Sequence, residues 1–261
     1  MTVNTLASSS SGNCTIVSHG NTHLLIDAGI SLRRIRDGLR RIGLSPDDLA
    51  GVLVTHEHSD HIGGVAILVK YHRTLLFSSH GAGEGICRAV PEAGPYLNCF
   101  DIGASFELGD VTVQSFCTPH DAADSVGYRL TAGGKSLCYA TDLGYVSEEV
   151  MVAAHGADIA IIEANHDREM LRLGPYPPFL KKRVLSKYGH LSNVESGSFA
   201  AGLALSGTRY LQLAHLSRQN NTPGLARQAV AEALEGVGVA EGRDLELDVA
   251  PPFTPGRMYV L

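Results

Sequence analysis

The sequence predicts an α+β fold in which short β-strands form sheets covered by amphipathic helices. Three observations lead there. Apolar residues make up 44% of the 261 positions and charged residues 18%, enough to bury a sizeable core and too apolar for a disordered chain. Glycine is abundant, 29 against 11 prolines, and cuts the chain into short segments joined by tight turns. Continuously apolar runs alternate with runs whose apolar positions recur every three or four residues. No repeat, linker or composition break interrupts this pattern, so residues 1–261 are expected to form one domain.

In chain order, Val3–Leu6, Cys14–Ser18 and His23–Ile26 are short apolar segments bounded by Ser, Gly and Asn, and read as strands. Ser31–Ile42 reads as a helix, with Leu32, Ile35, Leu39 and Ile42 on one face and Arg33, Arg36 and Arg40 opposite. Gly51–Thr55 is a buried strand, and Ile62–Tyr71 a helix that follows a polar loop. Val111–Cys117, Val126–Thr131 and Ser136–Ala140 are strands, the last two joined at Gly133-Gly134. The second half alternates. Helices are expected at Glu148–Ala154, Asn193–Leu205 and Pro223–Leu234, and strands at Asp158–Glu163, Tyr210–Ala214, Leu245–Val249 and Arg257–Val260.

Composition excludes several classes of protein. No stretch approaches the roughly 18–20 uninterrupted apolar residues of a membrane span. The start, MTVNTLASSS, lacks the cationic and apolar regions of a secretory signal. Five scattered cysteines without a CxxC argue against a disulfide framework or a thiolate zinc cluster, and a cytoplasmic location is expected. A formal charge of −6 is wrong for a general nucleic-acid coat, yet leaves room for an enzyme with one local basic face.

The segment that carries chemistry is Thr55-His56-Glu57-His58-Ser59-Asp60-His61, between a strand and a helix. Three imidazoles and a carboxylate in the order H-x-H-x-D-H arise by chance in about one chain in 800 of this composition. Alternate residues of an extended loop project to one side, so His56, His58 and Asp60 are separated in aim from His61. That arrangement suits two adjacent metal ions better than one, and the N/O donor mix suits zinc, manganese or iron. One loop cannot complete two sites. His120, Asp142 and His215 each lie just past a predicted strand, where a sheet presents side chains to a shared cleft.

With these residues the chain resembles the metallo-β-lactamase superfamily. It is further similar to the WalJ/YycJ-type branch through Ser8-Ser9-Ser10-Ser11-Gly12-Asn13-Cys14, Glu163-Ala164-Asn165-His166-Asp167, Gly189-His190-Leu191-Ser192-Asn193 and Leu216-Ser217-Arg218-Gln219-Asn220-Asn221. It departs from that branch at Ala164, where Ser is expected, and at Gln219, where Glu is commoner. The resemblance implies a four-layer αββα sandwich with two divalent ions, Mn²⁺ or Zn²⁺ with Fe as a further option. One ion would be held by His56, His58 and His120 and the other by Asp60, His61 and His215, with Asp142 between them. It also implies a metal-dependent 5′→3′ DNA exonuclease linked to DNA repair. An RNA-directed nuclease and a hydrolase of thioesters, lactones or cyclic phosphodiesters are the enzymatic alternatives. A metal-binding scaffold with a decayed site is the non-enzymatic one.

Phosphodiester hydrolysis needs an activated water, neutralised phosphate charge and a proton for the leaving oxygen. Asp142, Asp60 and His190 are the candidate catalytic groups, with His190 at a helix start as phosphate binder or proton donor. Ser10, Asn13, His166, Ser192, Lys181, Lys182 and Arg183 are the candidate substrate contacts, Ser192 having a helix cap as its competing role. Asp27 is expected to support a ligand histidine, and Glu57 to orient its loop. The arginines at 33, 34, 36, 40 and 41 read as a solvated helix face. His19, His23, His72, His80 and His155 read as structural.

Overall fold

The computed structural model describes residues 1–261. The first half runs β1 (Thr2–Ala7), β2 (Cys14–His19), β3 (Thr22–Ile26), α1 (Leu32–Arg40), β4 (Gly51–Leu53), α2 (Ser59–Ile62), α3 (Val65–His72), β5 (Leu76–Ser79), α4 (His80–Ala89) and β6 (Leu97–Phe100). The second runs β7 (Ser105–Leu108), β8 (Val111–Cys117), β9 (Val126–Ala132), β10 (Lys135–Ala140), α5 (Glu148–Ala154), β11 (Ile159–Glu163), α6 (Arg168–Leu173), α7 (Pro178–Val184), α8 (Asn193–Leu205), β12 (Tyr210–Ala214), α9 (Pro223–Gly236), β13 (Glu246–Val249) and β14 (Met258–Val260). They form two seven-stranded sheets, ordered β14-β1-β2-β3-β4-β5-β6 and β13-β12-β11-β10-β9-β8-β7.

Each sheet begins as an antiparallel meander and continues as parallel strands joined by helical crossovers. Alternation along the strands builds three apolar layers. Leu24 and Ile26 of β3 meet Leu137, Tyr139, Ile159 and Ile161 between the sheets. Leu25 faces the other way and packs with Ile35 and Leu39 of α1, Leu68 of α3 and Ile86 of α4. Ala160 and Ile162 of β11 turn outward onto Val150 of α5, Phe199 and Leu203 of α8 and Val230 of α9. Each such fully buried aliphatic contributes roughly 1.5–3 kcal/mol of transfer free energy. The result is the αββα sandwich.

One expected helix is divided, and one segment holds elements that were not expected. Ile62–Tyr71 is not one helix: it breaks at Gly63-Gly64, where the Gly64 amide donates to the Ala28 carbonyl at 2.7 Å, and the first turn starts earlier, at Ser59. The segment Leu76–Leu108 holds three strands and a helix that the sequence did not announce. The arginine-rich helix and the Gly133-Gly134 hairpin lie where expected. No helix is long and apolar enough to cross a membrane.

Candidate metal centre

The chain leaves β3, β4, β8, β10, β11 and β12 at the same edge of the sandwich, and the polar residues beyond those strands converge there. Three of them turn sharply on leaving their strands: Asp27, Asp142 and His215 have φ of +59°, +60° and +56°, a left-handed conformation that residues with a Cβ rarely adopt. Such strain, of order 1 kcal/mol or more each, persists where the surroundings over-determine it. The loop after β4 is pinned as tightly. A Cβ on Gly29 would lie 1.6 Å from the Asp60 carbonyl oxygen, so only glycine lets the two backbones meet. The Asn13 amide donates to that same carbonyl at 2.8 Å, and the Ala28 amide to the His61 carbonyl at 2.8 Å.

Donor atoms of His56, His58 and His120 lie within 4.8 Å of one another, as do those of Asp60, His61 and His215, and those of His56, His61 and Asp142. Hydrogen bonds on the far ring nitrogens fix the tautomers. His120 donates Nδ1–H to the Gly189 carbonyl at 3.1 Å, and His61 donates Nδ1–H to Asp27 Oδ2 at 2.7 Å. Their Nε2 atoms are therefore bare lone pairs in the neutral rings. His61 Nε2 faces Asp60 Oδ2 at 3.4 Å and Asp142 Oδ2 at 3.5 Å. His215 Nε2 lies 3.2 Å from Asp142 Oδ1, and His56 Nε2 lies 3.1 Å from His58 Nδ1. Asp142 Oδ2 is buried and has no hydrogen-bond partner. Lone pairs and carboxylate oxygens aimed at one another repel unless protons or a cation lie between them, so this donor set fits divalent cations.

The titration behaviour shows the same tension in the protein without ions. Burial and the charge of His61 hold His56 well below the usual imidazole range. Burial opposes charge on His61 too, but Asp27, Asp60 and Asp142 outweigh it and raise this imidazole well above that range. Asp142 is lowered well below the carboxylate range: burial acts against it, and His215, His61, His56 and His120 prevail.

His190 also reaches the cluster. Its Nδ1 donates to Glu163 Oε1 at 2.7 Å and lies 3.7 Å from Asp142 Oδ1. Sequence reasoning missed a role for Glu163. Its second oxygen accepts from the Leu143 amide at 2.9 Å and the Leu191 amide at 3.0 Å, tying β10, β11 and the 189–193 loop into one unit. Burial, then the Asp142 charge, push this carboxyl up to about 8. The available signal was a charged residue closing the apolar run Ile159–Glu163.

Other expected contacts take different positions. Asn13 is fully buried: its Nδ2 reaches Asp60 Oδ2 at 3.3 Å and its Oδ1 lies 3.3 Å from His215 Nδ1, so it links two ligand candidates and its polar atoms are taken up by them. Ser192 is likewise buried and caps α8 with Glu195 in a reciprocal capping box. Arg183 is committed to Asp121, donating from NH2 to Oδ1 at 3.0 Å, and Lys181 donates to the Arg172 carbonyl at 2.8 Å. Ser10 and Lys182 are exposed and free of such partners. His166 is buried with both ring nitrogens unpartnered, and burial lowers it to about 4. Asp27 holds His61 and also accepts from the Thr55 amide at 2.8 Å. Glu57 turns away from the cluster to accept from the Ala123 amide at 3.0 Å.

A two-sheet sandwich with an imidazole–carboxylate cluster at one edge defines a metallo-β-lactamase-type fold. A family model described as "Beta-lactamase superfamily domain" matches residues 22–216. The structure of the metallo-β-lactamase fold protein YhfI from Bacillus subtilis superposes with a TM-score of 0.74 at 17% identity, covering 98% of each chain. In sequence, the chain is 35% identical to "Exodeoxyribonuclease YycJ" of Bacillus anthracis over 256 residues, 97% of this chain and 96% of that one. It is 36% identical to "Exodeoxyribonuclease WalJ" of Streptococcus pneumoniae over 262 aligned positions, 95% of this chain and 96% of that one. The chain belongs to the beta-lactamase superfamily and, within it, to the family of YycJ and WalJ.

Proposed function

We propose that the protein, a metal-dependent hydrolase, is a 5′→3′ exonuclease of DNA acting as one domain through two divalent cations. The observation that carries this is near-full-length similarity to two exodeoxyribonucleases in a chain whose seven ligand candidates converge at one sheet edge. Those relatives favour a nuclease over the small-molecule hydrolase. His56, His58 and His120 would hold one ion, Asp60, His61 and His215 the second, with Asp142 shared. Manganese and zinc both suit this ligand set, and so does iron. Bound ions supply Lewis acidity, which activates water and neutralises phosphate charge.

The chain's own groups do the rest. Glu163 holds His190 Nδ1–H, which leaves Nε2 as the ring atom for exchange with substrate. When the imidazole is protonated, Nε2–H donates to the leaving oxygen. Asn13 and Asp27 keep His215, Asp60 and His61 in place. Ser10 and Lys182, exposed near the cleft, meet the phosphate backbone without reading sequence.

The test is digestion of single- and double-stranded DNA carrying a 5′ or a 3′ label, using metal-stripped protein with Mn²⁺, Zn²⁺ or Mg²⁺ restored. Stepwise, metal-dependent loss of the 5′ label, absent in Asp142→Asn, is expected. No cleavage of any DNA by fully metal-loaded protein would overturn the proposal and direct attention to RNA and small phosphodiesters.

A further inference from the structure

The arginine-rich face of α1 and the segment Leu216–Asn221 have no part in the metal centre, yet they meet beside it. Arg218 lies three residues beyond His215, and its guanidinium donates to Ser11 Oγ at 3.4 Å. Ser11 is two residues before Asn13, the side chain that touches both Asp60 and His215. Arg218 therefore stands at the rim of the Asp60–His61–His215 half of the cleft. Its guanidinium carbon lies 5.0 Å from the ring centroid of Phe253, and that of Arg34 lies 5.9 Å from the same ring.

Phe253 is 50% exposed and shares its cavity with Leu6 and Pro255. Its backbone is tied on both sides. Pro251, Pro252 and Pro255 flank it, the Pro251 carbonyl accepts from the Ser8 amide at 3.2 Å, and the Gly256 amide donates to the Thr5 carbonyl at 2.9 Å. Arg34 donates to the Pro252 carbonyl at 3.3 Å. A cavity of about 170 Å³ opens between α1 and this segment, lined by Arg34, Arg41, Phe253 and Thr254. The one acidic group in it, Asp37, has the Arg33 guanidinium 3.9 Å away.

An exposed ring flanked by two guanidiniums, next to a cleft for phosphodiesters, has the chemistry of a single-strand stacking site: a π-face for any base, cations for its phosphate. We propose that Phe253 is a stacking platform for one nucleobase of the bound strand, and that Arg218 and Arg34 take the phosphate next to it. This rests on the nucleic-acid reading of the metal centre. It adds the place where a strand is gripped beyond the scissile bond.

The experiment measures binding in the Asp142→Asn background, so that the strand is held and not cut. Single-stranded oligonucleotides carry one abasic site at each of the first four positions from the 5′ end, and affinity is read by fluorescence anisotropy. At one position the abasic site weakens binding about tenfold. Phe253→Ala weakens the intact strand by the same factor and the abasic strand by less than about twofold, and Phe253→Trp restores the intact strand. Arg218→Ala and Arg34→Ala each lower the slope of log affinity against log salt by about 0.7. Equal, additive losses at every position would overturn the platform while leaving DNA binding intact. Absence of DNA binding in the parent Asp142→Asn protein would instead overturn the nucleic-acid reading, and the platform with it.

Discussion

Replacing Glu163 by glutamine separates the proton-handling residues from the metal ligands. Glu163 accepts the His190 Nδ1–H at 2.7 Å and two backbone amides at 2.9 and 3.0 Å, so the isosteric Glu163→Gln keeps the shape and puts an NH₂ donor where one acceptor oxygen was. If the amide oxygen retains the two backbone donors, the NH₂ group meets His190 Nδ1. The ring then takes the tautomer whose Nδ1 accepts. His190, which burial already holds below the usual imidazole range, then has no acceptor for a proton on Nδ1 and is harder still to protonate. A general acid that can no longer take up its second proton loses roughly 10²–10⁴ in kcat.

The assay is the pH profile of kcat on an end-labelled strand, paired with metal analysis. Loss of kcat at unchanged metal content, with the alkaline limb moved to lower pH, is expected. A second readout is thermal stability of the metal-free protein. Because Glu163 is raised to about 8 in the folded chain and titrates near about 4.3 when unfolded, its burial costs stability progressively as pH rises between those values. Glu163→Gln removes that cost, so its Tm should exceed the parent's at pH 8 and converge with it near pH 4. A variant with kcat within twofold of the parent would refute the proton-donor role of His190. Loss of metal would instead make the pair part of the ligand set.

Three further outcomes follow from the same geometry. Asp27→Asn leaves His61 without the carboxylate on Nδ1, and metal affinity measured by chelator competition should fall about 10–100-fold while Asp60 and His215 stay in place. Gly29→Ala forces a methyl to within 1.6 Å of the Asp60 carbonyl, and should cost more than about 2 kcal/mol in denaturant unfolding as well as metal affinity. Since His61 is held well above the ordinary imidazole range in the ion-free protein, metal binding at pH 7 should release a proton from it. Calorimetry in buffers of different ionisation heat reads that release, and affinity should rise with pH.

The convergence of the ligand candidates was the most legible part of the chain. His56, His58, Asp60 and His61 sit in one loop, and His120, Asp142 and His215 each follow an apolar strand that points to the same edge. What escaped was set by distant packing. Asn13 read as a substrate contact because nothing local shows that loop 8–13 is folded in against His215 and Asp60. Arg183 and Lys181 looked like free cations because Asp121 and the Arg172 carbonyl are far away in sequence or lack a side-chain signature. Helix α4 hid behind its glycines. A Cβ at Gly85 would come within 2.4 Å of Glu57 Cγ, so packing against the metal loop overrode helix propensity. The longer strands and the arginine-rich helix were legible because burial on one or both faces leaves a periodic trace, whereas β5, β6 and β7 are only four residues each, too short for such a trace to stand out.

The most direct measurement is the number of divalent ions bound per chain, by calorimetric titration of metal-stripped protein with Mn²⁺ and elemental analysis of the saturated product. The account predicts two ions for the parent and one each for His58→Ala and His215→Ala, with folding unchanged. A single ion in the parent at saturation, or two retained in His215→Ala, would contradict a two-cation centre built from these seven side chains.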